Sequence, residues 1–153
     1  MANRNGFAVK VDLNLNDVDQ KLRDIGPKLA RKGLRKALNA VKAYWVPEMK
    51  SRVPVDTGSL RDSIIGAIKT KKDRNSEVSG TLWVGPAAQA PRGDSKKSVG
   101  PGVFAKWVEF GLKRKKYPAH PFARPTLDAT GDKAVTIFSE TLKSVLEEIA
   151  KEK

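Results

Sequence analysis

The sequence predicts an α+β fold, in which a short and mainly antiparallel sheet with a central hairpin is flanked by a long helix in the N-terminal half and a long C-terminal helix. Apolar residues recur at steps of three and four from Leu34 to Met49 and again from Ala134 to Ile149, as in helices with one buried face. Between these helices, two neighbouring segments alternate apolar and polar residues, as in paired strands. The length of 153 residues suits one domain over residues 1–153.

The composition is strongly basic, with a formal net charge of +13. The positive charge lies within residues 1–125, whereas residues 126–153 are mildly acidic. Such a distribution implies an anionic neighbour, either nucleic acid or an acidic protein surface, although it also serves solubility alone.

Several classes of protein are disfavoured. Cysteine is absent, which excludes a disulfide framework and a thiolate metal site. No apolar run is long enough to span a membrane and the first residues lack a signal peptide's apolar core, so we expect a soluble protein made in the cytoplasm. His120, the single histidine, has no cysteine or carboxylate cluster beside it that would complete a metal site. Since no set of acid, base and nucleophile can be assembled, we expect neither an enzyme nor a cofactor.

The chain begins with a strand or arm within residues 1–16. Apolar and polar residues alternate over residues 7–13, which predicts a short strand with one buried face. Residues 18–25 carry a short helical face that Gly26 and Pro27 interrupt. Because proline is tolerated in the first turn of a helix, the first long helix can begin at Pro27.

This long helix has a buried face and a basic face. The predicted buried face comprises Leu34, Leu38, Val41, Trp45 and Met49, with Ala30, Ala37 and Tyr44 beside it. The basic face comprises Arg31, Lys32, Arg35, Lys36 and Lys42. A basic face of this kind is most often solvated, but it can also lie on phosphate. Pro47 predicts a kink or an early end, and Pro54 predicts that the helix ends at Val53.

Residues 53–64 form the changeover from helix to sheet. Asp56, Thr57 and Ser59 can bond nearby amides in a tight turn, and Gly58 permits unusual backbone angles. Ser59 and Asp62 also match a capping box, which predicts a short helical turn. Residues 63–70 and 77–85 then predict the two strands of the hairpin, joined by a polar loop.

The back half alternates loops and helices. Residues 86–102 and 112–120 are predicted to be exposed loops, and the first has none of the spacings of a phosphate-binding loop. Between them, residues 103–111 predict a short helix with Phe104, Trp107 and Val108 on its apolar face. Gly111 is expected to end it. The last helix begins either near Pro125 or after Gly131.

Few residues in this half are candidates for catalysis or binding. Glu109 is expected to pair with an arginine or lysine rather than to act as a catalytic carboxylate, because no second acid lies at a short fixed spacing. His120 is expected to be a hydrogen-bonded loop residue. Seven basic loop residues are candidates for contact with DNA or with an acidic partner: Arg92, Lys96, Lys97, Lys113, Arg114, Lys115 and Lys116. Tyr117 follows the last four, and basic residues beside an aromatic one are typical of nucleic-acid binding, although a solvated loop explains them equally well.

Three motifs follow one another along the chain. They read Pro54-Val-Asp-Thr-Gly-Ser-Leu60, Phe104-Ala-Lys-Trp-Val-Glu-Phe-Gly111 and Pro121-Phe-Ala-Arg-Pro-Thr-Leu127. In this order, with a helix before the first and after the last, they resemble the tail-completion (neck, or head–tail joining) protein family of long-tailed bacteriophages, over residues 29–150. Leu112 departs from that family's pattern, in which a threonine usually follows the glycine of the second motif.

The resemblance implies a structural role without chemistry. It implies a virion protein of the neck or tail, made in the bacterial cytoplasm, which forms a six-fold ring that DNA passes through. Its partners would be itself, a head-completion protein and a tail-terminator or tail-tube protein. The motif residues implied to support the fold and interfaces are Pro54, Asp56, Thr57, Gly58, Leu60, Glu109, Gly111, Pro121, Phe122 and Pro125. The alternative, from charge alone, is a basic nucleic-acid-binding protein that acts outside the virion.

Overall fold

A computed structural model describes residues 9–11, 25–54, 58–72, 78–87, 101–113 and 117–151. Within these residues the predicted α+β class is confirmed, with two long helices and a two-stranded antiparallel hairpin. The elements in chain order are β1 (Val9–Val11), α1 (Pro27–Arg52), α2 (Ser59–Ser63), β2 (Ile64–Lys72), β3 (Val78–Pro86), α3 (Pro101–Phe110) and α4 (Ala123–Lys151).

The described residues fall into two compact units. The first contains residues 9, 45–54, 58–66, 84–87, 101–113 and 117–131, and the second contains residues 10–11, 25–44, 67–72, 78–83 and 132–151. In the first unit, α2 packs against α3, and the amide of Ala87 donates a 2.7 Å hydrogen bond to the carbonyl of Ser63. In the second unit, the helix faces predicted to be apolar are buried and their charged faces are exposed.

The sheet has three strands in the order β1-β3-β2, so β3 is central and β2 lies at an edge. The predicted hairpin is confirmed, and each of its strands begins one residue later than the alternation suggests. Along β2 the side chains of Ile65, Ala67, Lys69 and Lys71 are exposed, whereas those between them are at least partly covered. This alternation is expected of a strand with one face towards the core.

The helix α1 begins at Pro27, as predicted, and ends at Arg52, one residue before the end that Pro54 predicted. All the residues of its predicted buried stripe are buried, and Tyr44 beside them is partly covered. The predicted early end at Pro47 is wrong, because the helix continues through it. Proline removes the donor that would bond to the carbonyl of Ala43, but Ala43 and Pro47 both lie on the exposed side, where water can bind that carbonyl.

The short helical turn predicted before the hairpin is confirmed as α2, but its capping box is wrong. The cap position is Gly58, which has a φ of 75° and makes no side-chain cap bond. The backbone carbonyl of Gly58 instead accepts a 2.9 Å bond from the amide of Asp62. The helix therefore begins one residue before the box would place it, and a left-handed glycine sets the chain direction.

The helix α4 runs without interruption from Ala123 through Gly131 to Lys151, so the earlier of its two possible starts is observed. Its predicted stripe is buried, apart from Ile137, which is partly covered. Packing against α1 is close, since a Cβ at Gly33 would lie 3.6 Å from atoms of both Leu142 and Val145. An exposed ion pair of 3.1 Å joins Lys36 to Glu148 between the same two helices.

Several predicted features lie outside the described residues. They are residues 12–24, the turn residues Asp56 and Thr57, the hairpin tip at 73–77, and the loop at 88–100 with Arg92, Lys96 and Lys97. Three of the four residues of the second basic run, Arg114, Lys115 and Lys116, also lie outside them. None of the helices that the structure describes is long and apolar enough to cross a membrane.

Replacing Gly131 by alanine tests the continuity of α4. A Cβ at this position would meet no atom within 4 Å, so the variant should gain about 0.5–1 kcal/mol in free energy of unfolding through helix propensity alone. The measurement is urea denaturation followed by circular dichroism. In contrast, Gly26→Ala should lose about 1 kcal/mol, because Gly26 has a φ of 90°. A destabilised Gly131→Ala variant would contradict a continuous helix.

Candidate assembly surface

The carboxylate of Glu109 binds the start of α4. It is 5% exposed, and it accepts hydrogen bonds from the backbone amides of Phe122 at 2.7 Å, Ala123 at 3.0 Å and Arg124 at 3.2 Å. The expected ion pair with a lysine or arginine is therefore not what the described residues show. A carboxylate at the positive end of a helix is stabilised by both the amides and the helix dipole.

This arrangement explains how the first backbone amides of α4 are satisfied. A helix leaves its first amides without partners inside the helix. Glu109 accepts from three of them, Pro125 has no amide hydrogen, and the amide of Thr126 bonds to the carbonyl of Phe122 at 3.2 Å. The glutamate of the second motif and the proline-phenylalanine segment of the third are thus two halves of one interaction.

A tight return of the chain brings these halves together. Gly111 ends α3 with a φ of 72°, as predicted, and a Cβ there would lie 2.9 Å from the carbonyl oxygen of Tyr117. Leu112 and Tyr117 form an antiparallel bridge with hydrogen bonds of 3.1 and 3.3 Å. The amide of His120 then donates to the carbonyl of Val108 at 2.7 Å. The backbone of His120 is therefore hydrogen-bonded, while the residue itself is exposed.

The apolar face predicted for α3 is not the most buried side of this helix. Its buried side carries Ala105, which is 0% exposed, and Glu109. Phe104 is 38% exposed, and Trp107 and Val108 are only partly covered. The physical reason is that the inner side needs a small residue for close packing and a carboxylate for the amides of α4, which leaves the larger apolar side chains outside.

These side chains form a surface that we call the α3 outer face. It comprises Val103, Phe104, Trp107 and Phe110, and Tyr117 in the following loop extends it. Phe110 and Tyr117 are 62% and 67% exposed. Residues 103, 107 and 110 follow the spacing of one helical face, so a signal for this surface was present in the sequence, and the surface shares Phe104 and Trp107 with the predicted apolar face. An exposed apolar patch of this kind marks a contact surface.

A groove adjoins the α3 outer face. It is lined by Glu109, Phe110, Pro121, Arg124, Pro125, Asp128 and Ala129. The carboxylate of Glu109 is committed to backbone amides, whereas the exposed side chains of Arg124 and Asp128 add charge to a lining that is otherwise apolar. Within the described ranges, no three histidine, cysteine, aspartate or glutamate residues are grouped as metal ligands.

The structure locates some of the proposed contact and motif residues. Of the seven basic loop residues it describes Lys113, which is exposed beside the α3 outer face. Among the motif residues, Leu60, Glu109 and Phe122 are buried, whereas Pro54, Pro121 and Pro125 are exposed. The buried ones support packing in the first unit, and the exposed prolines are available for contact.

Removing the Glu109 carboxylate should be costly. Glu109→Ala would leave buried amides without an acceptor, and we expect a loss of about 2–4 kcal/mol in free energy of unfolding. Hydrogen exchange should accelerate at the amides of Phe122, Ala123 and Arg124 before it does elsewhere in α4. Glu140→Ala removes the same charge from an exposed position of α4 and should change stability by less than about 0.5 kcal/mol. Equal effects of the two substitutions would contradict the capping role.

Comparison with known proteins identifies the family. The family model described as "Bacteriophage HK97-gp10, putative tail-component" matches residues 16–111, which is more than half of the chain and extends from before α1 to the end of α3. No curated protein and no solved structure matches the chain. The family match confirms the relation to phage tail proteins that the three motifs suggested, and the chain belongs to the HK97-gp10-like family of bacteriophage tail components.

Proposed function

We propose that this tail component completes the tail or joins it to the head at the neck, as a six-fold ring through which DNA passes. Its partners are further copies of itself, a head-completion protein and a tail-terminator or tail-tube protein. The proposal begins from family membership, which gives a structural role in the phage tail. The α3 outer face is the observation that carries the step from tail component to assembly.

A large apolar surface on so charged a chain argues for a protein partner. Val103 and Phe104 are each 38% exposed, and with Phe110 and Tyr117 they place four large apolar side chains within one helix and its following loop. Interface cores are enriched in aromatic residues and depleted in charge, which matches this surface. Covering these side chains by a neighbour would remove apolar area from water and stabilise the assembly.

The edge of the sheet supplies a second surface for assembly. Within the part of the chain that the structure describes, β2 pairs with β3 on one side and with no strand on the other. Unpaired backbone groups along such an edge can accept a strand of another subunit. Ile65, which is 53% exposed on β2, adds an apolar contact there. Two different surfaces on each subunit suit a head-to-tail contact, and such contacts form a ring when the rotation between subunits closes.

The charge of the chain suits a position beside DNA or beside an acidic ring. The exposed Lys113 and the basic loop residues Arg92, Lys96, Lys97, Arg114, Lys115 and Lys116 are proposed to contact one of these partners. An enzyme activity forms no part of the proposal, because assembly through surfaces of this kind requires no bond to be made or broken.

Light scattering coupled to size exclusion tests the ring. We expect a discrete species of several subunits that persists from low to high salt, because apolar contacts are not screened by ions. Should the free protein be monomeric, the same measurement is made after addition of purified tails, to which it should bind. A chain that stays monomeric, ignores tails and binds DNA tightly would contradict the proposal and favour a nucleic-acid-binding protein outside the virion.

Substitutions on the α3 outer face should weaken assembly without unfolding the chain. In Phe104→Ser/Phe110→Ser two exposed aromatic contacts are lost, so we expect at least a tenfold weaker association, equivalent to about 1.4 kcal/mol or more. Val135→Ser is the control, since Val135 is 41% exposed on α4 and lies away from that face in the sequence. Circular dichroism verifies the fold of both variants. Unchanged association in the aromatic variant would remove this surface from the interface.

A further inference from the structure

The N-terminal half of α1 carries a continuous basic face. We define the α1 basic face as Lys28, Arg31, Lys32, Arg35 and Lys42. The first four are exposed and Lys42 is partly covered. At 3.6 residues per turn, these five positions fall within a sector of about 100° and extend along about 21 Å of helix. Asn39, a further hydrogen-bond donor, lies within the same sector and is exposed.

In the absence of a bound anion, the positions of these positive charges destabilise α1. The first turn of α1 contains no acidic residue but includes Lys28, a cation that the positive end of the helix dipole disfavours. Lys28 and Lys32 are four residues apart, as are Arg31 and Arg35, and like charges at this spacing repel. An anion bound along this face would relieve both effects.

The neighbouring cations show a different pattern. Lys36, at the margin of the face, is paired with Glu148 at 3.1 Å, and the ammonium of Lys133 lies 5.0 Å from the ring centre of Tyr44. Within the described ranges, no carboxylate lies within ion-pair distance of the α1 basic face. Among the described residues, its five charges therefore have no carboxylate partner, and an external anion can bind them.

The side chains on this face distinguish between two kinds of anionic partner. A protein interface normally has an apolar core with aromatic anchors, and lysine is depleted there. Along α1 the exposed side chains include no large apolar residue. Interfaces with DNA are more polar and much more positively charged. Duplex DNA carries one charge per about 1.7 Å of axis, so about twelve phosphates lie along the length of this face.

We propose that the α1 basic face binds the phosphate backbone of double-stranded DNA. This inference deepens the proposed function, on which it rests, because it names the surface of the tail component that meets the DNA passing through the ring. The contacts are electrostatic and independent of base sequence, since lysine and arginine side chains reach phosphates without reading base edges. This mode of binding suits a genome that must move past the protein.

Fluorescence anisotropy with a labelled mixed-sequence duplex of about two helical turns tests the inference. Binding of the full chain is measured between about 50 and 300 mM salt. The face variant is Arg31→Gln/Arg35→Gln, and the matched control is Lys143→Gln/Lys151→Gln, which removes two charges from exposed positions of α4. Glutamine has a helix propensity close to those of arginine and lysine, so both variants should keep their helices.

The face variant should lose affinity and salt dependence together. We expect about tenfold weaker binding at about 50 mM salt, and a slope of log affinity against log salt that is shallower by about 2, because each phosphate contact contributes about 0.9. The control should remain within about threefold of the parent chain and keep its slope.

Any of the following outcomes would overturn the inference. One is an equal loss in both variants, which would show a response to net charge and not to this face. Another is an unchanged slope in the face variant, or no measurable binding by the parent chain at the lowest salt. A further one is a face variant that retains DNA binding but no longer binds purified tails, which would assign the face to an acidic protein. The light-scattering mass of the same variant keeps these outcomes distinct, because a ring that forms without DNA contact preserves the proposed function and removes only this inference.

Discussion

The bond network between Glu109 and the first amides of α4 is the constraint on which the first unit depends. It joins two helices through a buried carboxylate and three backbone donors, so the geometry at the end of α3 sets where α4 begins. The tight turn at Gly111 reverses the chain and so brings the first residues of α4 close to Glu109. Because a buried carboxylate without donors would be very costly, the arrangement is specific as well as stabilising. Because of this interaction, Ala105 and Glu109 occupy the buried side of α3, and the aromatic side chains of this helix face outwards.

Much of the fold could be predicted because its signals are local or strictly periodic. The stripes of α1 and α4 and the alternation of the hairpin each depend on spacing within one element, and each is observed. The prediction of a capping box at Ser59 was wrong because a left-handed glycine and a side-chain cap are alternative ways to begin a helix. The sequence alone does not show which of them is used. Pro47 is compatible with a helix because its missing donor falls on the exposed side, which depends on the rotation of α1 against its neighbours.

The candidate site was harder to predict, for a physical reason. The partners of Glu109 are backbone amides 13 to 15 residues away, and an amide has no identity in a sequence. The sequence places Phe104 on an apolar face of α3, but it does not tell whether that face is packed in the core or exposed, and Phe104 is 38% exposed. In a protein that assembles with others, part of its apolar surface is reserved for partners. In the described residues, the exposed aromatic side chains lie on α3 and the loop that follows it, whereas α1 carries exposed lysine and arginine side chains.

Gly80 in β3 sets the spacing between the sheet and α1 in the second unit. A Cβ there would lie 2.6 Å from Leu38 and 2.8 Å from Leu34, so both leucine side chains occupy space that any other residue would need. A larger side chain at position 80 therefore fits only if the side chains at positions 34 and 38 are smaller. In related chains, a larger residue in the strand should accompany a smaller one in the helix, and the two changes should be energetically coupled rather than additive.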